Sequence, residues 1–253
     1  MERIKILSPW SGIQEIKTFS RLSGMQRIKT LSLWSGVLGF LVVALGAWTR
    51  LADAGLGCPD WPGCYGFVTI PISPEEIDIA NSKYPDTPYE VAKAIPEVVH
   101  RYFAAALGFM ILCIAFLAFR YKDLPSDVRK LSFFLIAWVI LQGTFGYWTV
   151  SLKLWPQVVT THLMSGFLTT GLLWLLYFKT KDHLQDREKW NFGLATKKLF
   201  TVSIALVAIQ IFLGAWTSTN YASYSCVDFP LCQGQILPES NFKEGFDFFQ
   251  SIG

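Results

Sequence analysis

Charged residues are scarce in this 253-residue chain: Asp, Glu, Lys and Arg make up 16% of it, whereas apolar residues make up 52%. A composition so poor in charge argues against the one or two soluble domains that the length would allow. Asp, Glu, Lys and Arg are absent from five long segments: 30–49, 102–119, 131–152, 154–178 and 199–227. Each could cross roughly 30 Å of hydrocarbon as a helix, whose backbone hydrogen bonds are satisfied internally. The sequence therefore predicts an all-α, polytopic transmembrane helix bundle.

The first apolar segment lacks the small-residue cleavage site of a secretory signal and is too long for one, so it is expected to remain as a span. The Lys and Arg residues concentrate before residue 31 and within 120–130 and 179–198, whereas the loops on the other side are acidic on balance. This asymmetry predicts a cytoplasmic amino terminus in a bacterial inner membrane, or a matrix one in an organelle. The small net charge of +3 gives no reason to propose a nucleic-acid partner.

The chain repeats itself at a constant offset of 168 residues. The helix end at 45–49 returns at 213–217, and the cysteine loop at 58–64 returns at 226–232 without a gap. Such a match predicts an internal duplication. We therefore expect a basic cytoplasmic tail at 1–30, a first four-helix transmembrane unit at 31–180, a cytoplasmic linker at 181–198, and the first helix and loop of a second unit at 199–253. The remaining counterparts would lie beyond residue 253, so the second unit is expected to be truncated.

Histidine is also scarce, and the first of the three histidines lies in Glu97-Val98-Val99-His100-Arg101, at the outer end of the second apolar segment. Glu97 and His100 are three residues apart and share a helical face. Ala104 and Gly108 continue that face and would leave a flat slot that a macrocycle could fill. Ionisable residues near a bilayer usually serve a ligand or a relay. The alternative is that His100 and Arg101 only anchor the helix end among lipid headgroups.

His162 lies near the outer end of the fourth segment, at a depth similar to that of His100. Gly166, one turn further on, leaves space beside the imidazole. Two histidines from two helices, each backed by small residues, predict axial ligation of a haem. Zinc is less favoured, because no third or fourth ligand converges. The alternative for His162 is a hydrogen bond between helices, and His183, in a basic connection, is expected to be solvated.

The five cysteines form two pairs on the outer side and one isolated residue: Cys58 and Cys64, Cys226 and Cys232, and Cys113. The oxidising outer compartment favours disulfides in both pairs. A structural staple is expected for the second pair. For the first pair a redox-active disulfide stays open, because Asp60, Trp61 and two prolines would strain the short ring. Cys113 is predicted to pack within its apolar helix.

Taken together, these motifs resemble the haem A synthase family, over about residues 35–253. The resemblance rests on four motifs: Glu97-x-x-His100-Arg101, Cys58-Pro59-Asp60-Trp61-Pro62-x-Cys64, Gln142-Gly143-x-x-Gly146-x-Trp148-Thr149-Val150 and Val159-x-Thr161-His162. In that family eight helices form two halves, one holding the substrate haem and the other a haem b cofactor. The resemblance implies that the protein oxidises the C8 methyl group of haem O to the formyl group of haem A, for cytochrome oxidase, with haem O synthase as a partner.

The resemblance also assigns residues. It implies that His100 and His162 bind the iron of the substrate haem, that Glu97 is catalytic, and that Cys58 and Cys64 assist electron transfer. Arg101 is the first of three basic residues at the outer rim that could pair with the haem propionates, the others being Arg50 and Lys153. The histidines for the cofactor haem would lie beyond residue 253, so this chain alone is expected to be inactive.

Two other functions stay open from the sequence. One is a bis-histidine membrane cytochrome that passes electrons to or from a quinone, which would not need Glu97 on the histidine face. The other is a membrane thiol oxidase that uses the outer cysteines, for which the histidines would be incidental. Membrane lipid is expected around the chain, and a homo-oligomer stays open.

Overall fold

A computed structural model describes residues 9–185, 192–228, 230–236, 238 and 241–248, with side chains described from Thr18 onward. Five long helices dominate it: α1 (Pro9–Leu51), α3 (Val91–Arg120), α4 (Ser126–Ser151), α5 (Pro156–Gln185) and α6 (Leu194–Thr219). The shorter elements are α2 (Pro74–Lys83), a 3-10 turn (Ala222–Tyr224) and α7 (Phe242–Gly245). In this part of the chain there are no strands, only two isolated β-bridges.

The five long helices are each long and apolar enough to cross a membrane, and the span in α1 begins at Thr18. Large apolar side chains point outward along them; Phe109 and Phe116 on α3 are 66% and 63% exposed. Such side chains are favourable against lipid and unfavourable in water. The predicted all-α, polytopic fold is confirmed, and the chain is a multi-pass membrane protein.

Several helices extend beyond the uncharged segments that predicted them. The basic tail is already helical from Pro9, and α3 begins at Val91, because charged residues at a helix end can reach solvent. The last long helix ends at Thr219, earlier than its apolar run, because Tyr221 adopts a left-handed φ of 55°. Outside the described residues lie parts of the predicted tail, linker and second unit: 1–8, 186–191, 229, 237, 239–240 and 249–253.

The chain divides by its internal contacts into two compact units. The first unit comprises Met1–Ala44, Arg101–Leu141 and Phe167–Trp190, and the second comprises Leu45–His100, Gln142–Gly166 and Asn191–Gly253. The predicted units were consecutive segments of the chain. The observed units are not, because α1, α3, α4 and α5 each contribute residues to both. The division into two repeated units in chain order therefore stays a prediction.

The core of the first unit is an apolar cluster from α1, α3, α4 and α5. Its most buried members include Met25, Ile28, Ile111, Leu135 and Leu173. Because lipid is as apolar as these side chains, close packing holds such a cluster together more than the loss of water does.

His183, expected to be solvated, is exposed, and it also has a polar partner in the first unit. Its Nε2 lies 3.1 Å from Asp127 Oδ1, and Lys179 Nζ lies 3.0 Å from Asp127 Oδ2. The Asp127 carboxylate at the start of α4 thus binds both Lys179 and His183 near the end of α5. Sequence alone hides this contact, because the partners are more than fifty residues apart.

The second unit has its own core, built around the cysteine loop that follows α1. Its most buried members are Cys58, Cys64, Tyr65, Ala80 and Ala94. The loop backbone passes very close to α3: a Cβ on Gly57 would lie 2.2 Å from the carbonyl oxygen of Lys93. Only glycine can occupy that position without moving the loop. The loop then continues into α2, which begins with a capping box between Ser73 and Glu76.

The predicted repeat is visible in the hydrogen bonds of the two cysteine loops. The Asp60 carboxylate accepts hydrogen bonds from the backbone N–H groups of Tyr65 and Gly66. Asp228, 168 residues later, accepts the same two bonds from its own loop. Equivalent positions also share unusual backbone angles, with φ of 56° at Tyr65 and 54° at Gln233. Two loops with the same internal bonds at the same offset support a duplicated origin.

Candidate functional site

The turn of α3 that carries His100 is held from α1. The Thr49 hydroxyl donates to the carbonyl of Pro96 at 3.2 Å, and Pro96 is buried inside α3. A Cβ on Gly46, one turn before Thr49, would lie 3.0 Å from Cε1 of the His100 imidazole. The half-buried His100 ring therefore lies directly against the backbone of α1, where any larger residue would displace it.

Glu97 is nearly fully buried, with 4% of its surface exposed. Its Oε2 accepts a hydrogen bond from the backbone N–H of Cys58 at 2.9 Å. The carboxylate one turn before His100 is thus bonded to the first cysteine of the outer loop. Sequence spacing placed Glu97 on the face of His100, but it did not predict this bond. A buried carboxylate is tolerated when it accepts such hydrogen bonds.

His162 is held by a polar contact between α4 and α5. Gln142 donates from Nε2 to the His162 carbonyl at 3.0 Å, and the Ser165 hydroxyl donates to the Gln142 side-chain oxygen. A Cβ on Gly146 would lie 3.3 Å from His162 Cε1. The buried Nδ1 of His162 has no hydrogen-bond partner among the described residues. This imidazole is therefore positioned through its backbone, and one ring nitrogen is left to bind something else.

The glycines expected to leave space beside the histidines behave differently from one another. Gly108, on the His100 face, has no described heavy atom within 4 Å of an added Cβ. Gly166 has Gln142 Nε2 at 3.3 Å, so the expected slot beside His162 is occupied by that amide. The glycines that do meet the two imidazoles are Gly46 and Gly146. The motif at 142–150 contains both Gly146 and Gln142, but the sequence did not predict that they contact His162. An uncharged polar side chain such as Gln142 in an apolar helix is a signal for such a contact.

Both cysteine pairs form disulfides, Cys58–Cys64 and Cys226–Cys232. The first loop reaches α4, where the Trp61 ring meets the edge of the Tyr147 ring at a centroid distance of 5.7 Å. Tyr147 directly follows Gly146, which faces His162. The loop that holds the first disulfide is therefore bonded near His100 through Glu97 and packed near His162 through Trp61.

The three basic residues at the outer rim differ in their surroundings. The Arg50 guanidinium donates to the carbonyl of Ser218 and lies 4.1 Å from the centre of the Tyr221 ring. Lys153 is exposed in the turn after α4, with a left-handed φ of 48°. Arg101 is half-buried and directly follows His100 on α3. Arg50 is thus already engaged by the second copy of the repeat.

Other possible metal sites are few in the described part of the chain. No group of three or more His, Cys, Asp or Glu side chains there is close enough to hold a metal ion. Cys113 is a free, half-buried thiol on α3. Within that part of the chain, His100 on α3 and His162 on α5 are the candidate ligands for a haem iron.

Comparison with known sequences identifies the family of this chain. The sequence model of COX15-CtaA, the cytochrome oxidase assembly protein family, matches residues 29–252. The chain belongs to this family. Among curated family members, the haem A synthase of Shewanella oneidensis is 42% identical over 217 residues, covering 85% of this chain and 64% of that protein. The expected resemblance to haem A synthases is confirmed.

Two less similar relatives are also haem A synthases. The haem A synthase of Alkalihalophilus pseudofirmus is 26% identical over 220 residues, covering 85% of this chain and 68% of its own. That of Halalkalibacterium halodurans is 25% identical over 221 residues, covering 85% and 67%. The chain thus spans about two thirds of the length of these relatives, and 64% of the Shewanella oneidensis protein. No solved structure matches the chain.

Proposed function

We propose that this chain forms the haem O-binding part of a haem A synthase, with His100 and His162 as axial ligands of the substrate iron. The observation that carries the proposal is the pair of imidazoles on α3 and α5, each set against a helix glycine: His100 against Gly46 and His162 against Gly146. Histidine nitrogen is a common axial ligand of haem iron. The names of the curated relatives support haem O as substrate.

The proposed reaction is the four-electron oxidation of the C8 methyl group of haem O to a formyl group. Water supplies the oxygen atom, four protons are released, and four electrons pass to an external electron acceptor. Bound haem supplies the iron and the conjugated ring through which electrons leave. The protein then has to orient the ring and accept protons. His100 and His162 would orient it, because Thr49 and Gln142 hold the turns on which they lie. Glu97, one turn from His100 and nearly fully buried, is our candidate for the proton acceptor.

The disulfide Cys58–Cys64 is our candidate for the group that assists electron transfer. It is joined to the carboxylate of Glu97 through the N–H of Cys58. Arg101 is our candidate for binding a haem propionate, because it directly follows His100 on α3. Haem O synthase, whose product is this substrate, is the corresponding partner.

A second haem, as cofactor, is proposed for the second copy of the repeat. Gly214 is the counterpart of Gly46, and an added Cβ there would have no described heavy atom within 4 Å. An imidazole set against Gly214 would repeat the arrangement of the first copy.

Haem binding tests the ligand assignment. The purified chain is titrated with haem O, and the optical spectrum is read for low-spin, bis-histidine iron. We expect His100→Ala and His162→Ala each to lose that spectrum. His183→Ala is the matched control, because His183 bonds Asp127 instead, and it should keep the spectrum. Unchanged spectra in the first two variants would refute the ligand pair. A protein that binds no haem at all would favour a thiol oxidase.

Turnover tests the assignment of Glu97. In cells that lack their own haem A synthase, this chain is expressed joined to the second half of a haem A synthase, and haem O and haem A are measured by chromatography alongside the haem spectrum. Gln keeps an oxygen that can accept the Cys58 N–H, so Glu97→Gln should retain the loop and the haem. Loss of a proton acceptor should lower conversion by about 10²–10⁴. Normal conversion in Glu97→Gln would exclude Glu97 from the chemistry. If the unchanged protein binds haem but does not convert haem O, the result would favour a membrane cytochrome over a synthase.

The orientation in the membrane is also a proposal: an inner membrane with the amino terminus in the cytoplasm, motivated by the Lys and Arg asymmetry. Gln185, at the end of α5, would then face the cytoplasm. In intact cells, a thiol reagent that cannot cross membranes should not label Gln185→Cys. Labelling at that position would reverse the proposed topology.

A further inference from the structure

A groove between α1 and α3 in the first unit is not used by the proposed reaction. Its volume is about 410 Å³, and its lining residues are Gln26, Arg27, Thr30, Leu31 and Leu117. The two leucines are half-buried and give the groove an apolar floor. The polar lining side chains all belong to α1, and Gln26 and Arg27 lie one turn before Thr30 and Leu31.

The end of the groove at Arg27 is basic. Arg27 lies one turn before Leu31 on α1, and Arg120 lies three residues after Leu117 on α3, so each arginine shares a face with one leucine of the floor. The two arginines lie at the same end, because the neighbouring residues Gly24 and Tyr121 are in contact across the helices. Both arginines are exposed, and neither forms an ion pair with a described residue.

We propose that this groove binds an anionic phospholipid, with an acyl chain against Leu31 and Leu117 and the phosphate beside Arg27 and Arg120. Charge and polarity both favour this ligand: an apolar floor within a membrane-spanning helix pair ends in two guanidinium groups that have no carboxylate partner among the described residues. Arg presents a planar set of donors that fits phosphate oxygens. Basic pockets between transmembrane helices recognise anionic headgroups in this way. The proposal does not depend on the proposed reaction.

Native mass spectrometry of the whole chain tests the proposal. The protein is released from mixed micelles that contain equal amounts of phosphatidylglycerol and phosphatidylcholine with the same acyl chains. We expect the unchanged protein to retain phosphatidylglycerol preferentially. Arg27→Gln and Arg120→Gln should each reduce that retention about fivefold, the effect of one basic residue at an anionic surface. Arg21→Gln is the matched control, an exposed arginine on α1 outside the groove, and it should change little.

A second variant separates the groove from general attraction between charges. Thr30→Trp fills the groove and keeps both arginines, so it should lower the retention of both lipids. The melting temperature of each variant checks that the fold is intact. Equal retention of the two lipids by the unchanged protein would overturn the proposal. The proposal would also be overturned if Arg21→Gln lost as much phosphatidylglycerol as the groove variants, or if Thr30→Trp left retention unchanged. Binding of inorganic phosphate in place of lipid would overturn it too.

Discussion

Arg50 is bonded to Ser218, the residue that occupies its own position in the second copy of the repeat. Its guanidinium donates to the Ser218 carbonyl, and its Nε donates to the Ser218 hydroxyl at 3.3 Å. Asp53 repeats the relationship, because the hydroxyl of its counterpart Tyr221 lies 3.5 Å from Asp53 Oδ1. Residues that meet their own counterparts are expected where two copies face each other across a two-fold axis. The ends of α1 and α6 therefore meet as equivalent surfaces.

We expect Arg50→Ala to destabilise the outer end of α1, by about 1.5–3 kcal/mol for a hydrogen bond from a charged donor. Thr49 and Gly46 lie in the same turn and contact the α3 turn of His100, so the haem spectrum should broaden or weaken as well. Arg50→Lys keeps the charge and should restore part of the stability. Thermal unfolding followed by the spectrum measures both effects. Equal stability of Arg50→Ala and the exposed control Lys153→Ala would contradict the expectation.

Gly57 and Gly55 form a matched pair in the loop after α1. A Cβ on Gly57 would lie 2.2 Å from a backbone carbonyl, whereas a Cβ on Gly55 would meet only the flexible Leu154 side chain at 3.0 Å. We expect Gly57→Ala to move the adjacent Cys58 N–H away from Glu97, and Gly55→Ala to be tolerated. The rate at which a mild reductant opens the Cys58–Cys64 disulfide reports the difference. Similar rates in both variants would show that the loop absorbs the change.

Gly146 and Gly143 give a second matched pair, on α4. A Cβ on Gly146 would lie 3.3 Å from His162 Cε1, whereas a Cβ on Gly143 has no described heavy atom within 4 Å. Ala is the better helix former by about 1 kcal/mol, so Gly143→Ala should raise stability slightly. Gly146→Ala should instead turn the imidazole and weaken haem O binding in a spectral titration. Equal affinity for haem O in the two variants would remove Gly146 from the site.

Tyr65 makes the outer loop sensitive to alkaline pH. Burial raises its pKa above the ordinary 10.0, and the carboxylates of Glu90 and Glu97 add to the effect. Because the folded pKa is the higher one, Tyr65 contributes stability below about pH 10 that is lost as pH rises through the folded pKa. The difference in tyrosinate absorbance between the unchanged protein and Tyr65→Phe should therefore appear only above pH 10. Titration of that difference at or below pH 10 would contradict the buried state of the ring.

The helices and the repeat followed from the sequence alone. Long uncharged segments have one stable form in lipid, a helix, and a constant offset of 168 residues needs no knowledge of packing. Helical spacing placed Glu97 and His100 on one face. The limits of the fourth uncharged segment placed His162 near a helix end. Helix ends were less predictable, because a turn such as that at Tyr221 depends on single backbone angles.

The tertiary structure decided which groups meet the histidines. Periodicity assigns a residue to a helical face, but it does not say which neighbouring helix covers that face. Gly46 and Gly146, rather than Gly166, therefore face the imidazoles only because of how α1 packs on α3 and α4 packs on α5. The bond from Cys58 to Glu97 likewise joins residues 39 positions apart, and no local pattern encodes it. Such contacts depend on the packing of distant segments, so they appear only once the chain is folded.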